Sequence, residues 1–184
     1  QGLPMHPSIF FPYFPNFVSS AEDFIESYNH WSGAIVLTSD TSSGSLIKKG
    51  PLWKYKLNNF DSNHLLDGLT QLVRSYYLAG AEEIMISSSP TMHWKKSNNE
   101  DIDKFLTKIL SIKNQPYRLL LGSAHQMGTA RINPNPEHGV VDLNGKVHGL
   151  ENVYIVDAST FPRCSGVNPM ISIQSMSHFL MSNI

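Results

Sequence analysis

Apolar and polar positions alternate near the start of the chain in a pattern that predicts a sheet with one face in water. In one segment Trp53 and Tyr55 alternate with lysines. Ser-Ser-Gly and Gly-Pro steps separate this segment from its neighbours, and such steps are typical of turns. The predicted strands are WSGAIVLTSD (31–40), GSLIKK (44–49) and PLWKYKL (51–57).

Three later segments carry apolar residues at helical spacing. In the first, Asp61 is the expected N-cap and Gly80 the expected stop. In the last, Asn168 is the expected cap, with Pro169 at the first helical position. The predicted helices are DSNHLLDGLTQLVRSYYLAGA (61–81), NNEDIDKFLTKILSIKN (98–114) and PMISIQSMSHFLMSNI (169–184).

Short strand-like runs fill most of the remaining chain, and turn residues lie between them. The run NVYIVDAS predicts a buried strand that ends in Asp-Ala-Ser. The predicted strands are EEIMISS (82–88), YRLLLGSAHQMG (117–128), INPNPEHGVVD (132–142), LNGKVHGL (143–150) and NVYIVDAS (152–159). Strands and helices in this order indicate an α+β protein with a largely antiparallel sheet and helices on one face.

The first thirty residues are rich in proline and aromatic residues, with prolines at 4, 7, 12 and 15. They predict an extended connector with buried aromatic rings. The alternative is an aromatic surface that faces an apolar substrate or makes a peripheral membrane contact. Because the chain opens with Gln rather than Met, we expect the natural protein to begin further upstream.

Composition narrows the class of protein. The 184 residues, 41% hydrophobic and 16% charged, suffice for one domain or a large piece of a longer protein. A net charge of −1 gives no basis for nucleic-acid binding. Cys164 is the single cysteine, so an intrachain disulfide is excluded, and no Cys/His spacing predicts a metal site. With no glycosylation sequon, an intracellular protein is expected, and membrane-associated and peroxisomal locations are both open.

Two residues are candidates for chemistry. His125 follows an apolar run and precedes Gly128, so we expect it at a strand end, where an imidazole can accept a proton near neutral pH. Asn168 precedes a helix whose first amides could hold an anionic group. Ser123 beside His125 does not indicate a hydrolase, because no Gly-x-Ser-x-Gly turn is present. The other histidines are expected to be structural or solvated.

Several motifs taken together resemble a known family. SAHQMGTAR is followed in order by GVVD, VHGLENVYIVDAS, FP and GVNPMISIQS. This series resembles the C-terminal signature of the glucose–methanol–choline (GMC) family of FAD-dependent oxidoreductases, most closely its long-chain fatty alcohol oxidase branch. The segments VLTSDTSSGSL, KYKLNNFDSNHLLDGL and YYLAGAEEI are similar to the substrate-domain segment of that branch. The resemblance covers roughly residues 31 to 184.

The resemblance implies roles for individual residues. His125 would take the hydroxyl proton while hydride leaves the substrate carbon for the flavin. Asn168 would orient the alcohol oxygen or stabilise the developing alkoxide. Residues beside the FAD cofactor would include the strand end at Asp157 and Ala158, the Asn168–Pro169 step and the backbone amide of Met170.

The resemblance also implies a division of the chain. Residues 31–149 would be the substrate domain with the active-site strand, after the connector that composition predicts over residues 1–30. Residues 150–184 would return to the FAD-binding domain as its last strand and helix. The glycine-rich pyrophosphate loop of the family is absent from the sequence, so we expect an upstream FAD-binding portion. A smaller departure is Ala-Arg-Ile-Asn at 130–133, where the branch usually has Cys-Arg-Met-Gly.

The implied reaction is oxidation of long-chain primary alcohols to aldehydes, with O₂ reduced to H₂O₂. Two alternatives are open. The enzyme could be a dehydrogenase that uses another electron acceptor. Alternatively, the chain could be a non-catalytic remnant that lacks the FAD-binding loop and acts as a structural or interaction module.

Overall fold

The computed structural model describes Gly2 and residues 25–47, 53–113, 115 and 117–182. The chain divides into two compact units, Gln1–Leu121 and Gly122–Ile184. Most of the connector expected over residues 1–30 lies outside the described residues. The division at residues 30 and 149 stays a prediction.

The first unit contains two short antiparallel sheets in its described residues. Strand β1 (Gly44–Leu46) pairs with β2 (Trp53–Tyr55). Strand β3 (Glu83–Ile86) pairs with β4 (Met92–Lys95). Together with the helices, these pairs confirm the α+β class, although the described strands form two separate pairs rather than one sheet.

The longest helix, α1 (Asn59–Leu78), has well-defined ends. The side chain of Asn58 caps it by accepting a hydrogen bond from the amide of Asp61 at 2.8 Å. At the other end the amide of Gly80 donates to the Tyr77 carbonyl and that of Ala81 to the Tyr76 carbonyl. Gly80 has a φ of +92°, which completes a Schellman motif. The predicted stop at Gly80 is therefore confirmed.

The predicted cap at Asp61 is wrong, because this carboxylate is buried inside the first turn of α1. It accepts hydrogen bonds from both the amide and the hydroxyl of Thr41 and of Ser42. Burial raises its pKa, but these hydrogen bonds outweigh burial and hold the pKa of Asp61 below its usual range. The carboxylate thus fixes the loop that precedes β1 to the start of α1.

The core of the first unit lies where α1 meets β3, β4 and α2 (Ile102–Leu110). Asp101 caps α2 through the amide of Asp103. The indole nitrogen of Trp94 donates to the Glu100 carbonyl at 2.9 Å, which satisfies the polar atom of a buried ring. The buried apolar residues of this core are Leu66, Val73, Ile84, Ile86, Trp94, Phe105, Leu106, Ile109 and Ile112.

Segment 31–40 was predicted to be a strand, but among the described residues it forms only an isolated bridge, between Gly2 and Ala34. It lies along α1 instead, where a Cβ added to Gly68 would be 2.6 Å from a methyl carbon of Val36. Glycine inside a helix lowers its stability, and close packing of Val36 on the backbone explains why it is here.

The second unit has little regular structure between residues 122 and 157. Its described elements are a single turn of 3₁₀ helix (Ala158–Thr160) and α3 (Met170–Met181). The strands predicted at 132–142, 143–150 and 152–159 are wrong, since only isolated bridges connect these segments. The strand predicted at 117–128 is also wrong. Leu119, which still belongs to the first unit, forms only an isolated bridge with Ser88 of the same unit. Left-handed residues bend the chain at short intervals: Gly128, Gly145, Gly149 and Asn152.

Candidate functional site

A junction of backbone hydrogen bonds organises the second unit around the candidate residues. The amide of Ala130 donates to the Ser159 carbonyl, and that of Ile132 to the Thr160 carbonyl, both at 2.9 Å. We call these two bonds the 130/160 junction. The backbone at Gly128 also lies close to this segment, because a Cβ added there would be 3.3 Å from the Phe161 carbonyl oxygen. The segment that contains His125 is therefore tied to the segment that leads toward Asn168.

His125 lies in an irregular segment five residues before the junction. Its side chain is half-buried, and among the described residues the imidazole makes no hydrogen bond. The neighbouring turn is closed by Gln126, whose amide nitrogen donates to the Ser123 carbonyl at 2.6 Å. The expected strand end is absent, but neither nitrogen of the partly accessible imidazole is engaged, so the one without a hydrogen can accept a proton.

Asn168 is exposed and does not cap α3, so this part of the prediction is wrong. The helix begins one residue later, with Pro169 in the capping position and Met170 as the first helical residue. Gly166 has a φ of +68°, and this bend sets the direction in which the chain enters the helix. No hydrogen bond of the Asn168 amide is found among the described residues. Its side-chain donors therefore remain available to a bound molecule.

The start of α3 presents unsatisfied backbone donors. The first hydrogen bond of the helix runs from the amide of Ile173 to the Pro169 carbonyl at 2.8 Å. The amides of Met170, Ile171 and Ser172 have no acceptor in the part of the chain that the structure describes. Because Asn168 is not a cap, none of these donors is occupied by its side chain. A helix N-terminus of this kind attracts negative charge.

Asp157 and Ala158 directly precede Ser159 and Thr160, the two acceptor residues of the junction. The carboxylate of Asp157 caps the 3₁₀ turn by accepting from the amide of Ser159 at 2.8 Å and from its hydroxyl at 2.5 Å. One carboxylate oxygen is committed to this cap. Ala158, the first residue of the turn, is half-buried.

The cofactor roles assigned to Asp157, Ala158, Asn168, Pro169 and Met170 stay predictions, as do the catalytic roles of His125 and Asn168. The structure brings Ala158 and its neighbours to the His125 segment through the 130/160 junction. No hydrogen bond joins His125 directly to Asn168 in the described part of the second unit.

Sequence reasoning missed two residues that hold this arrangement. Thr160 is 1% exposed, and its hydroxyl donates to the Asp157 carbonyl at 2.8 Å. The hydroxyl of Ser177, on α3, donates to the Val156 carbonyl and so ties the helix to the segment before the 3₁₀ turn. A serine in a helix and a threonine after Asp-Ala-Ser carry no distinctive spacing, so neither pattern could have identified them.

The described residues were compared with the requirements of a metal site and of a membrane-spanning helix. No group of three or more His, Cys, Asp or Glu side chains could hold a metal ion there. No described helix is both long enough and apolar enough to span a bilayer.

Comparison with known proteins gives a family and named relatives. A profile described as GMC oxidoreductase matches residues 32–177. Long-chain-alcohol oxidase FAO3 of Arabidopsis thaliana is 31% identical over 163 residues, which cover 85% of this chain and 22% of that protein. Long-chain-alcohol oxidase FAO4A of the same plant is 29% identical over 192 aligned positions, which cover 100% of this chain and 26% of that protein. The chain thus spans about a quarter of the length of these relatives.

A likeness also exists to a solved structure, the crystal structure of pyridoxine 4-oxidase from Mesorbium loti. The TM-score is 0.49 at 17% sequence identity, over 79% of this chain and 28% of that one.

The matched range includes both candidate residues, His125 and Asn168, and the junction that lies between them in the sequence. The match extends over most of the chain and includes the motifs quoted from the sequence above. The chain belongs to the GMC oxidoreductase family.

Proposed function

We propose that this chain is the C-terminal part of a flavin-dependent alcohol oxidase. The proposed reaction converts a long-chain primary alcohol and O₂ to an aldehyde and H₂O₂. The observation that carries the proposal is the pair of unengaged side chains, His125 and Asn168, on segments that leave the same backbone junction. Family membership supports the flavin chemistry, and the names of the Arabidopsis relatives support the alcohol substrate.

The second unit fits one end of an FAD molecule and not the whole. The amides at the start of α3 are suited to the electron-rich pyrimidine edge of the isoalloxazine ring, because they are donors at the positive end of a helix dipole. Met170 supplies the first of these amides, with Asn168 and Pro169 leading to it. The pyrophosphate needs backbone donors at a glycine-rich turn, and this sequence has no such turn.

The proposed mechanism assigns one task to each residue. FAD, when bound, supplies the hydride acceptor for the carbinol carbon. His125 accepts the hydroxyl proton on an imidazole nitrogen and holds it while the carbonyl forms. The Asn168 amide donates a hydrogen bond to the same oxygen, where negative charge develops as the proton leaves. Both groups act on the alcohol oxygen, so they must lie close to one another. The 130/160 junction joins the two segments that contain them and so helps to set their relative position.

The surface of α3 supports the proposal that an upstream FAD-binding portion completes the site. The helix contains no Asp, Glu, Lys or Arg, and Leu180 is fully buried against the rest of its unit. Its other faces are open, since Met170, Ile171 and Phe179 are each more than 60% exposed. A helix that lacks charged residues and has apolar side chains on several faces is typical of a buried position. We therefore propose that the FAD-binding portion covers these faces.

A reconstitution experiment tests the proposal. The chain alone is mixed with FAD, excess cofactor is removed, and the visible spectrum is recorded. We expect no stoichiometric flavin band near about 450 nm. The same chain joined to the FAD-binding portion of a long-chain-alcohol oxidase should show this band. The band should bleach when a long-chain primary alcohol is added without oxygen.

Each outcome bears on a separate part of the proposal. A stoichiometric flavin band on the isolated chain would contradict the need for an upstream portion. A reconstituted protein that binds FAD but is not reduced by alcohols would contradict the alcohol substrate. Reduction without H₂O₂ formation in air would make the enzyme a dehydrogenase. Reduction by ethanol as readily as by hexadecanol would remove the long-chain preference.

A further inference from the structure

The segment that lies along α1 before β1 has the two faces of a half-buried strand. Val36 packs against α1 at Gly68, whereas its neighbours Ile35 and Leu37 are 36% and 39% exposed. Successive side chains of an extended chain point to opposite faces. One face of the segment therefore lies on the helix, and the other presents two apolar side chains.

A single bridge shows where a partner strand would run beside this segment. Gly2 forms an antiparallel bridge with Ala34, and no hydrogen bond joins these two residues directly. They are therefore a non-hydrogen-bonded pair, in which the bonds are made by the residues on either side. Because this pattern repeats every two residues, the backbone N–H and C=O groups of Leu37 point to the side of the segment on which Gly2 lies.

The backbone of Leu37 is open on that side. Neither its amide nor its carbonyl has a hydrogen-bond partner in the part of the chain that the structure describes. By contrast, the bridge between Ser88 and Leu119 is flanked by two backbone hydrogen bonds, of 2.9 Å and 2.8 Å. An unpaired backbone edge of this kind is a template for another strand.

We propose that the polypeptide immediately upstream of Gln1 in the longer enzyme continues the Gly2 bridge as a β-strand along Val36, Leu37 and Thr38. This rests on the proposed function only in requiring an upstream portion, and the chain spans about a quarter of the length of its named relatives. Antiparallel counting from the bridge places the residue just before Gln1 opposite Val36. The second residue before Gln1 lies opposite Leu37 and exchanges both backbone hydrogen bonds with it.

The same register sets the chemistry of the upstream strand. Residues directly opposite one another in an antiparallel pair point to the same face. The residue just before Gln1 therefore lies beside Val36 against α1 and should be apolar, and the second residue before Gln1 lies beside the exposed side chain of Leu37. A second copy of the chain could meet the same edge, but only a covalent continuation has its register fixed by Gly2.

Disulfide formation in the longer protein tests the register. Val36→Cys is combined with a cysteine at the residue just before Gln1 or, as a matched control, at the second residue before Gln1, and both proteins retain Cys164. The first pair should form an intramolecular disulfide under mild oxidation, because directly opposite residues are within reach of one. The control pair points to opposite faces and should form none. Equal yields, no disulfide in either protein, or a disulfide between two molecules would overturn the proposal.

Hydrogen exchange in the longer protein tests the backbone bonds themselves. The Leu37 amide should exchange about as slowly as the Leu120 amide, which donates to the Ser87 carbonyl at 2.8 Å. A proline at the second residue before Gln1 cannot donate to the Leu37 carbonyl, so it should speed exchange at Leu37 and leave Leu120 unchanged. Exchange at Leu37 as fast as in an unstructured peptide, or exchange that the proline does not alter, would contradict the proposal.

The flavin spectrum of the same protein separates the upstream strand from the proposed function. A longer protein that binds FAD and is reduced by alcohols, but shows neither the disulfide nor slow exchange at Leu37, would refute the strand alone. A longer protein that shows both but has no flavin band would refute the flavin chemistry and support the strand.

Discussion

The two units are stabilised in different ways. The first has a continuous apolar core from two helices and a strand pair, in which Phe105 and Ile109 are almost wholly inaccessible. The second buries few apolar side chains, among them Val141 and Leu180, and depends on backbone hydrogen bonds between bent segments. The candidate chemistry lies entirely in the second unit. The first unit can hold its shape by its own packing, whereas the second leaves several apolar side chains of α3 exposed.

This contrast explains how a scaffold and a site can share one chain. A packed core fixes side chains of every size in place but tolerates few changes. Backbone hydrogen bonds fix only the main chain and leave nearby side chains, such as His125 and Asn168, without protein partners. The same type of substitution should therefore lower stability when it is made in the core of the first unit and lower activity when it is made at the candidate site of the second.

Replacement of a histidine should give the largest difference. In the FAD-bound enzyme that contains this chain, His125→Ala should slow flavin reduction by about 10²–10⁴-fold, the usual contribution of a general base. His93→Ala, in the first unit, should leave the rate within about twofold, because His93 pairs with Glu83 and has no assigned chemistry. Stopped-flow reduction measures both rates, and an unchanged rate in His125→Ala would contradict its role as base.

Replacement of a phenylalanine should have its larger effect in the first unit, and on stability rather than on rate. Phe105→Ala should lower the free energy of unfolding by about 3–5 kcal/mol, because it empties a core position that is 1% exposed. Phe179→Ala, at 61% exposed, should change the stability of the chain alone by less than about 0.5 kcal/mol. Denaturant unfolding provides the measurement.

The effect of Phe179→Ala can also be compared between the isolated chain and the enzyme that includes the proposed FAD-binding portion. If the FAD-binding portion covers α3, Phe179→Ala should destabilise that enzyme by clearly more than it destabilises the isolated chain. Equal effects in the two contexts would contradict the proposed cover.

Two asparagines near helix starts should separate capping from catalysis. Asn58 caps α1, so Asn58→Ala should lower stability by about 0.5–2 kcal/mol without slowing the reaction. Asn168 caps nothing, so Asn168→Ala should leave stability unchanged and slow turnover by about 10²–10³-fold, the range for loss of one donor to a developing oxyanion. Thermal unfolding and steady-state kinetics distinguish the two, and a stability loss in Asn168→Ala with normal turnover would reverse the assignment.

The smallest expected contrast is between the effects on stability of replacing Asp61 and of replacing Asp157. Asp61→Asn should destabilise the chain by about 1–3 kcal/mol, because buried donors lose a charged acceptor. Since the folded-state pKa of Asp61 lies below its unfolded value, the carboxylate stabilises the fold at neutral pH. This stabilisation is lost as the pH falls through the folded-state pKa.

The comparison variant is Asp157→Asn, which keeps an oxygen that can accept from Ser159 and should change stability by less than about 0.5 kcal/mol. Urea unfolding at several pH values checks both variants. The difference between wild type and Asp61→Asn should shrink at acidic pH, and a difference that does not vary with pH would contradict the role of the ionised carboxylate.

The sequence predicted the parts of the fold that depend on local periodicity. The spacing of leucines identified α1, and Gly80 identified its end, because both signals act within a few residues. Strand β4 was missed, since four residues after Ser-Ser-Ser-Pro carry too short a pattern. The strands expected after residue 122 failed because apolar alternation there is interrupted by left-handed residues such as Gly145 and Asn152.

The candidate site could be predicted only as a list of residues. Local context selected His125 and Asn168 as candidates and motif resemblance suggested their roles, but no periodicity encodes the contact between residue 130 and residue 159. The cap assigned to Asn168 failed because the helix begins one residue later than proline and asparagine usually indicate. Side-chain preferences could not reveal that the first amides of α3 have no acceptor among the residues that the structure describes.

The 130/160 junction has a consequence for how this protein can vary through evolution. Its two bonds join main-chain atoms, so they are indifferent to the side chains at positions 130 and 132. The present sequence has alanine and isoleucine there, where the related branch usually has cysteine and methionine. Such replacements can accumulate without moving the segment that contains His125. Selection can thus alter the side chains around the junction while the main-chain arrangement is inherited unchanged.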